Sequence, residues 1–521
     1  MKPGQRRAGC LLCGGHVAAG CGGGVGSLLA LVPLLVAATA ILTTFLLILG
    51  LTELTDVSVF VEYLVALIGL GVAIDYSLLL VTRWREELAA GHSGDRAVAL
   101  AMATAGRAVV FSGVTVAIGL LSMVMLPVPF LRSMGYAGML IPLVSVLVTL
   151  TLLPVLLATI GQRADWPHRR KPPHVGRGWA AWARGVRRQR WLAVLAALAV
   201  LVPLGVAGLG LRLGTPNADA LAPADPAWRR GGTAIVDVQP LAQTGTQAGK
   251  QTVTHIRQAA AAMPTPASAS RQNPGPRVQV GGAGPQDVDF THAVYGRFPL
   301  MLAVIAAVTF VLLARAFRSP LLPLKAVLLN LLSVGAIYGV LVLVWQHGHG
   351  SRQLWGVPAT GSVEVFIPLI VFAFLYGLSM DYEVFIVARM REAYDRTGST
   401  TTAITEGIGR TGRLVTSAAL TLLLAFASLA SGPIVTVKVF ATGLGAGIFL
   451  DATAVRALLV PALVSLFGRW NWWLPSWAAW PLGVQPSPSR ADDDHQPVVP
   501  PPGDWLSGGT GRRPARRPPQ G

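Results

Sequence analysis

Two carboxylate–phenol pairs stand inside apolar runs of the sequence. Asp75 and Tyr76 form the first pair, and a shift of 306 positions carries them onto Asp381 and Tyr382. An ionised Asp at the centre of a membrane helix costs roughly 2.5–3.5 kcal/mol on insertion scales, so such residues face a bundle interior and mark functional sites. A buried carboxylate that a Tyr hydroxyl can reach is able to take up and release a proton. The two pairs therefore predict a proton relay whose protonation state favours one helix packing over another.

The repeat that relates the two pairs extends to the residues around them. The same shift carries Gly71 onto Gly377, and each glycine lies one helical turn before its aspartate, on the same face. Glycine there lets two membrane helices approach closely. Each aspartate also precedes an arginine, Arg83 or Arg389, by eight residues. At ~1.5 Å per residue, each carboxylate lies roughly 12 Å in from these arginines, near the middle of the bilayer. We interpret the chain as two homologous membrane halves with one pair each; the alternative is a buried polar pair that only locks two helices together.

A weaker polar site is predicted near the end of the last apolar run. Asp451 and Arg456 lie five residues apart, a spacing that does not place both on one face of an α-helix. Their type and depth fit either a structural ion pair or a gating element. Metal binding finds no support, because Cys10 and Cys13 have no second ligand pair at metal spacing. The Walker lysine motif is absent, so the only coupling agent that the sequence predicts is the proton.

Composition places these residues in a membrane protein. The chain has 521 residues, of which 53% are hydrophobic and 13% charged; a soluble chain would carry about a quarter charged residues. Apolar runs long enough to cross ~30 Å of hydrocarbon recur along it. They predict an all-α polytopic membrane protein with two pseudo-repeated helical bundles. The ten predicted spans are 27–50, 59–82, 107–126, 134–160, 191–211, 298–316, 321–346, 364–388, 413–432 and 438–467.

The formal charge of +18 is explained by where the basic residues stand. They cluster in loops between spans and in the C-terminal tail, which is typical of cytoplasmic anchoring rather than of nucleic-acid binding. The richest cluster, 162–190, is predicted to be cytoplasmic, and alternation from it places Arg83, Lys325 and Arg389 on the same side. We expect the lipid bilayer, and no nucleic acid, as a partner.

The predicted spans and loops divide the chain into seven parts. They are a disordered cytoplasmic leader (1–26), a first membrane half of four spans (27–161), a basic cytoplasmic loop (162–190), a fifth span (191–211), a reduced extracytoplasmic segment (212–297), a second membrane half of five spans (298–468), and a Trp-rich interface followed by a disordered Pro/Arg-rich tail (469–521). The extracytoplasmic segment is predicted to be a small α+β piece. Its helix is expected over Gln251–Ala262 and its strand over Arg277–Val280.

At these residues the sequence resembles the resistance-nodulation-division superfamily, and within it the mycobacterial membrane protein large (MmpL) exporters. The segment Gly69–Gly161 is similar to that family's fourth to sixth spans, and Phe298–Phe467 to its eighth to twelfth spans. The resemblance is carried by Asp75-Tyr76, Ala105-Gly106-Arg107, Pro129-Phe130-Leu131-Arg132, Met380-Asp381-Tyr382 and Leu450-Asp451-Ala452-Thr453.

The resemblance implies proton-driven export of lipids, lipid conjugates or other hydrophobic molecules across the bacterial inner membrane. In that family the two Asp–Tyr pairs form the proton relay, which corresponds here to Asp75, Tyr76, Asp381 and Tyr382. The family also has twelve spans and two large outer porter domains that bind and pass the cargo. This chain lacks an equivalent of the first span, the first porter domain and most of the second span, so we expect a truncated member.

We predict an exporter of lipids or other hydrophobic molecules that is driven by the proton-motive force and is not an enzyme. It would act alone, as a homo-oligomer or with other membrane proteins. Two alternatives stay open. One is a transport-incompetent membrane scaffold, and the other is a sterol-sensing-like lipid-binding protein, because such domains share this helical plan.

Overall fold

The fold was analysed in a computed structural model of the chain. The structure describes residues 31–54, 56–58, 60–161, 176–214, 229–230, 233–234, 246–262 and 278–475. The predicted leader (1–26) and most of the predicted tail lie outside these residues, so both stay predictions.

The first membrane half contains long apolar helices joined by short turns. They are α1 (Leu31–Thr52), α2 (Phe60–Ala89), α3 (Gly94–Ala101), a π-helical turn (Met102–Gly106), α4 (Arg107–Leu121), a 3₁₀ turn (Ser122–Met125) and α5 (Pro129–Thr159). The turn between α4 and α5 ends where Pro129 takes the first position of α5, which suits proline because that position needs no backbone N–H donor.

Two helices and a peripheral segment connect the halves. Helix α6 (Arg177–Arg188) lies within the predicted basic loop 162–190, and α7 (Arg190–Gly208) follows it as a span. The predicted extracytoplasmic segment contains β1 (Arg229–Arg230), β2 (Thr233–Ala234), α8 (Gln247–Ala261) and α9 (Ala283–Tyr295). The two short strands pair antiparallel.

The second membrane half repeats the helical plan of the first. Its elements are α10 (Phe298–Phe317), α11 (Leu321–Leu341), a π-helical turn (Val342–Gln346), α12 (Ser351–Trp355), α13 (Ile367–Thr397), α14 (Thr400–Ala430), α15 (Val435–Leu450), a π-helix (Asp451–Leu459), α16 (Val460–Phe467) and a 3₁₀ turn (Gly468–Trp472). Helix α13 lies at the centre of the bundle, since 94% of its most apolar 18-residue window is buried.

The predicted fold class and the predicted number of spans are confirmed. Within the described part of the chain, ten helices are long and apolar enough to cross a membrane. Several extend beyond the predicted apolar runs: α14 starts at Thr400, whereas the predicted span starts at residue 413. Helical hydrogen bonding continues into the aqueous phase where hydropathy has already fallen, so hydropathy marks the membrane-embedded length and not the helix length.

The extracytoplasmic segment is partly as predicted. Helix α8 occupies nearly the predicted range, and Gly282 has a φ of 104°, as expected for a glycine turn before a helix. The predicted strand Arg277–Val280 is wrong for residues 278–280, which form no strand; Arg277 lies outside the described residues. A single alternating run without a partner strand gains no ladder hydrogen bonds, which explains why the pattern alone failed.

Candidate functional site

The structure brings one carboxylate and one phenol from different halves into contact. Asp75 lies in α2 and Tyr382 lies in α13, and each side chain is only 8% exposed. The Tyr382 hydroxyl donates a hydrogen bond to the Asp75 Oδ2. A change in the protonation state of Asp75 therefore alters a contact between the two halves, and not a contact within one of them.

Tyr76, the phenol of the first predicted pair, is fully buried in the same region. The Ser112 hydroxyl of α4 donates to the Tyr76 oxygen at 3.2 Å. Asp381 lies in α13 next to Tyr382, but its side chain falls outside the described residues. Of the four predicted relay residues, the structure therefore places three side chains.

The two predicted glycines lie where helices of opposite halves approach each other. A Cβ atom on Gly71 would lie 2.3 Å from a methyl group of Leu422 in α14, and one on Gly377 would lie 3.2 Å from a methyl group of Val116 in α4. The repeat shift of 306 positions relates both glycines and both partners. The two contacts are therefore equivalent under the internal pseudo-symmetry, and they hold the helices that carry the Asp–Tyr pairs.

The predicted secondary site is an ion pair, and the argument that its residues do not share a helix face was wrong. The Arg456 Nη2 donates to the Asp451 Oδ2, and both side chains are almost fully buried. The segment Asp451–Leu459 is π-helical. In a π-helix, hydrogen bonds run from residue i to i+5, so residues five apart stand above one another. A spacing of five residues separates two side chains on an α-helix, but it brings Asp451 and Arg456 onto the same face of this π-helix.

Arg456 also connects the ion pair to the Tyr382–Asp75 contact. Its guanidinium carbon lies 4.3 Å from the centre of the Tyr382 ring, within the range of a cation–π contact. The same Nη2 donates to the carbonyl oxygen of Ser379, one turn before Tyr382, at 3.3 Å. The two sites that the sequence presents separately are one continuous polar cluster around Tyr382.

Two charged members of this cluster were missed by the sequence analysis. Glu383 follows Tyr382 directly and is 7% exposed. Lys325, predicted to lie with the cytoplasmic basic residues, is 9% exposed inside α11; its ammonium donates to the Asn471 side chain and lies 5.3 Å from the centre of the Phe467 ring. The signal for Glu383 was available, because a glutamate inside a membrane span stands out as Asp75 does.

The charges of the cluster do not balance. Arg456 acts electrostatically on three buried carboxylates, those of Asp75, Glu383 and Asp451, and Lys325 acts on Glu383. Three carboxylates thus face two cations among the described side chains. Unpaired buried charge is costly, so a surplus carboxylate is a place where a proton can bind. No group of three His, Cys, Asp or Glu side chains within the described ranges is arranged to hold a metal ion.

Comparison with known proteins identifies related sequences along most of the chain. The sequence profile of the MMPL family matches residues 26–193 and 229–489. The membrane protein SCO6666 of Streptomyces coelicolor is 37% identical over 476 residues, which cover 85% of this chain and 67% of that protein.

Two related proteins carry names that state a cargo. The mycolic acid-containing lipids exporter MmpL11 of Mycolicibacterium smegmatis is 34% identical, over 86% of this chain and 53% of its own length. The heme uptake protein MmpL11 of Mycobacterium tuberculosis is 34% identical, over 86% of this chain and 52% of its own length. The chain thus spans about half the length of these MmpL11 proteins.

A solved structure has a similar arrangement of helices. The crystal structure of SecDF, a translocon-associated membrane protein from Thermus thermophilus, superposes with a TM-score of 0.55 at 17% identity. The similarity covers 88% of this chain and 61% of SecDF. At this identity it concerns the fold alone.

Proposed function

The chain belongs to the MMPL family, and from that premise we propose that it exports lipids or other hydrophobic molecules across the cell membrane at the expense of the proton gradient. The chain is a multi-pass membrane protein. The observation that carries the proposal is the hydrogen bond from Tyr382 to Asp75, which joins the two halves deep in the bundle.

Proton binding at this contact supplies the energy coupling. When Asp75 is ionised, it accepts the Tyr382 hydroxyl and feels the positive charge of Arg456. When Asp75 is protonated, the charge-assisted part of this hydrogen bond is lost, and such bonds are roughly twice as strong as neutral ones. The two protonation states therefore favour different separations of α2 and α13, which is the requirement for driving a conformational cycle.

Lys325 and Glu383 extend the polar cluster toward the side of the basic loops. Lys325 lies in the first turns of α11, close to Asn471 at the end of the last span, and interacts electrostatically with Glu383. Glu383 in turn interacts with Arg456 and Asp451. These groups give a proton a route of ionisable side chains between that side of the membrane and Asp75.

A hydrophobic cargo is supported by the names of two relatives. One related protein is named as a lipid exporter and another as a heme uptake protein, and both cargoes are largely apolar. A narrow apolar crevice, with space for little more than one water molecule, lies between the halves. It is lined by Tyr63, Leu64, Met134, Phe366, Ile367, Ile370, Leu429, Thr436, Val437 and Phe440.

The proposal is tested by transport in vesicles. The full chain would be reconstituted into proteoliposomes that contain a fluorescent phospholipid, and the transfer of that lipid between leaflets would be followed with and without an imposed proton gradient. We expect gradient-dependent transfer for the unmodified chain. Asp75→Asn should reduce it to the rate seen with the gradient collapsed, because an amide cannot exchange the proton.

Asp95→Asn is the matched control, since Asp95 is an exposed acid at the start of α3 and lies outside the polar cluster. Transfer that is equal in the unmodified chain and in Asp75→Asn would contradict the proposal and favour a scaffold. Binding of the fluorescent lipid that ignores the gradient, with no transfer, would favour a lipid-binding receptor.

A further inference from the structure

Helix α6 is a strongly amphipathic helix that lies against the membrane bundle where the chain passes from one half to the other. Its apolar residues Ala180, Ala183 and Val186 are buried. Helices with one apolar and one basic face lie in the plane of the membrane interface. Immediately after α6, Arg190 starts the span α7, so α6 stands at the membrane boundary.

Several specific contacts fix α6 to the second half. The Gly176 backbone N–H donates to the Gly409 carbonyl oxygen of α14 at 3.0 Å. The Trp179 ring packs on Gly412, where a Cβ atom would lie 2.4 Å from the ring. The Trp182 indole N–H donates to the Ala457 carbonyl oxygen at 2.9 Å. Ala457 is the residue after Arg456, so α6 contacts the π-helix that carries the buried ion pair.

Two arginines on the opposite side of α6 remain free of the protein's own acids. Arg184 and Arg188 are exposed and lie one helical turn apart, so they are neighbours on the helix surface. Neither forms an ion pair with a described residue. The acid nearest in sequence to the α14 contact, Glu406, is already paired with Arg396 and Arg410. The positive charge of α6 is therefore directed toward solvent or lipid.

Two exposed tryptophans also stand at this membrane boundary. Trp182 is 47% exposed although its N–H is bonded, and Trp191 at the start of α7 is 65% exposed. Exposed tryptophans are typical of the headgroup level of a bilayer, where one end of the ring is apolar and the other is wet. Guanidinium groups match phosphate geometry with paired N–H donors. Exposed arginines and tryptophans on one segment at a membrane boundary suit an anionic lipid headgroup better than a soluble anion.

We propose that Arg184 and Arg188 bind the phosphate headgroups of acidic phospholipids in the membrane leaflet next to α6. The lipid tails would continue along α7, where Leu192 and Leu195 are exposed. A bound lipid would hold α6 against the bundle and so add to the stability of the contact between Trp182 and the π-helix. This site is independent of the relay and does not require the proposed transport.

The test is lipid binding to the purified full chain in detergent. Binding of fluorescent phosphatidylglycerol would be measured against phosphatidylcholine, at low and at high salt. For the double variant Arg184→Gln/Arg188→Gln we expect phosphatidylglycerol affinity to fall roughly thirtyfold, the combined effect of two basic residues near an anionic surface. High salt should weaken binding to the unmodified chain because it screens the charges. The variant Arg184→Lys/Arg188→Lys should have an intermediate affinity, because lysine keeps the positive charge but not the paired N–H donors.

The matched control is Arg96→Gln/Arg107→Gln, which removes the same charge at two exposed arginines of the first half. An equal loss in this control would overturn the proposal, because it would show a general charge effect. Equal affinity for phosphatidylcholine would do so as well. Displacement of the lipid by equimolar glycerol phosphate would indicate a soluble phosphate ligand, and preferential binding of polyglutamate would indicate an acidic protein partner; either result also contradicts the lipid site.

Discussion

Arg456 has three partners that a buried guanidinium in a membrane protein requires. It pairs with Asp451, donates to the Ser379 carbonyl oxygen and lies over the Tyr382 ring. A planar, permanently charged group can make all of these contacts at once, which an ammonium cannot. The residue that the sequence presents as half of an ion pair is thus the link between that pair and the Asp75–Tyr382 contact.

A double-mutant cycle measures how much Arg456 depends on Asp451. Asp451→Asn removes the hydrogen-bonded partner of the buried Arg456 guanidinium, and breaking such a pair costs about 3–5 kcal/mol of stability. Replacing both residues, as in Asp451→Asn/Arg456→Gln, removes both members of the pair, so we expect the double variant to be less destabilised than the sum of the two single variants. Thermal unfolding in detergent would give the four stabilities.

The exposed pair Arg257–Asp289 provides the control cycle. Its side chains are 35% and 63% exposed, and exposed pairs contribute little because water and salt screen them. Simple additivity at Asp451 and Arg456, as expected for the exposed pair, would mean that the two buried side chains are not energetically coupled to each other.

The residues that sequence reasoning found and missed differ in one respect. Asp75 and Tyr382 belong to a repeat, so their duplication at one spacing identified them. Glu383 has no charged counterpart, because the residue that the shift of 306 positions relates to it in the first half is Ser77. A search for residues common to both halves therefore passes over the groups that make the halves different. The contact between Asp75 and Tyr382 could not be predicted either. Spacing along the sequence indicates how deep a residue lies in the membrane, but not which residue of another helix it contacts.

At the scale of helices, the closest packing is between α7 and α11. A Cβ atom on Gly339 would lie 1.8 Å from the Leu204 carbonyl oxygen, and one on Gly208 would lie 2.7 Å from the Gly335 carbonyl oxygen. In a bilayer such small-residue contacts replace the hydrophobic effect as the source of helix association. The span that connects the two halves is therefore attached to the second half through glycine.

This packing predicts opposite outcomes for two similar substitutions in α11. Gly339→Ala forces the two backbones apart and should destabilise the protein by roughly 1–3 kcal/mol or more. Gly335→Ala meets its nearest atom only at 4.0 Å and should be neutral or slightly stabilising, because alanine favours helix. Apparent melting temperatures in detergent would compare them. Equal effects of the two substitutions would show that α7 does not pack as described.

The helices that sequence reasoning located best were the apolar ones. A membrane span must satisfy its backbone internally, so hydropathy and helix coincide there. Hydropathy did not predict helix α6, because arginine and glycine are frequent in its sequence. Its apolar face packs against α14, a contact that the sequence does not show. The π-helical segments were equally out of reach, since no residue pattern distinguishes them from α-helix.

At the scale of the molecule, ionic contacts join the halves at the side of the basic loops. Arg389 of α13 contacts Glu86 of α2 at 3.5 Å. Each half also repeats the same local pair, Arg83 with Glu86 and Arg389 with Glu392, under the shift of 306 positions. The pseudo-symmetry therefore extends from the glycine contacts in the membrane to the charged ends of the helices.

Glu364, near the opposite end of the bundle, gives the whole molecule a pH-dependent stability. Burial, above all, raises the pKa of Glu364 above its ordinary value of 4.5; a hydrogen bond from Thr436 opposes this shift, and the nearby Asp287 adds to it. The folded state then binds the proton more tightly than the unfolded state does. The stability linked to this group is fully present below pH 4.5 and is lost as pH rises through the raised pKa.

Glu364→Gln removes this dependence, because the amide is neutral at every pH. Relative to the unmodified chain, we expect the variant to gain stability as the pH is raised from acidic to mildly alkaline values. Melting temperatures measured across that range would show the difference. The matched control is Glu62→Gln, at an exposed glutamate near the same end of the bundle. An equal gain of stability in Glu62→Gln as the pH rises would show that Glu364 is not the cause of the pH dependence.

The π-helix at Asp451–Leu459 has a consequence for every residue after it. Each residue of an α-helix turns the chain by about 100°, so the wider turns rotate the rest of the span relative to a regular helix. The buried side chains Val460, Ala462 and Val464 of α16 face the bundle in that rotated frame. Deleting Thr453, an exposed residue, would remove the extra residue that the wider turns accommodate, so the segment could close into regular α-helix. Val460, Ala462 and Val464 would then keep their place against the bundle, and Asp451 and Arg456, now four residues apart, would still share one face.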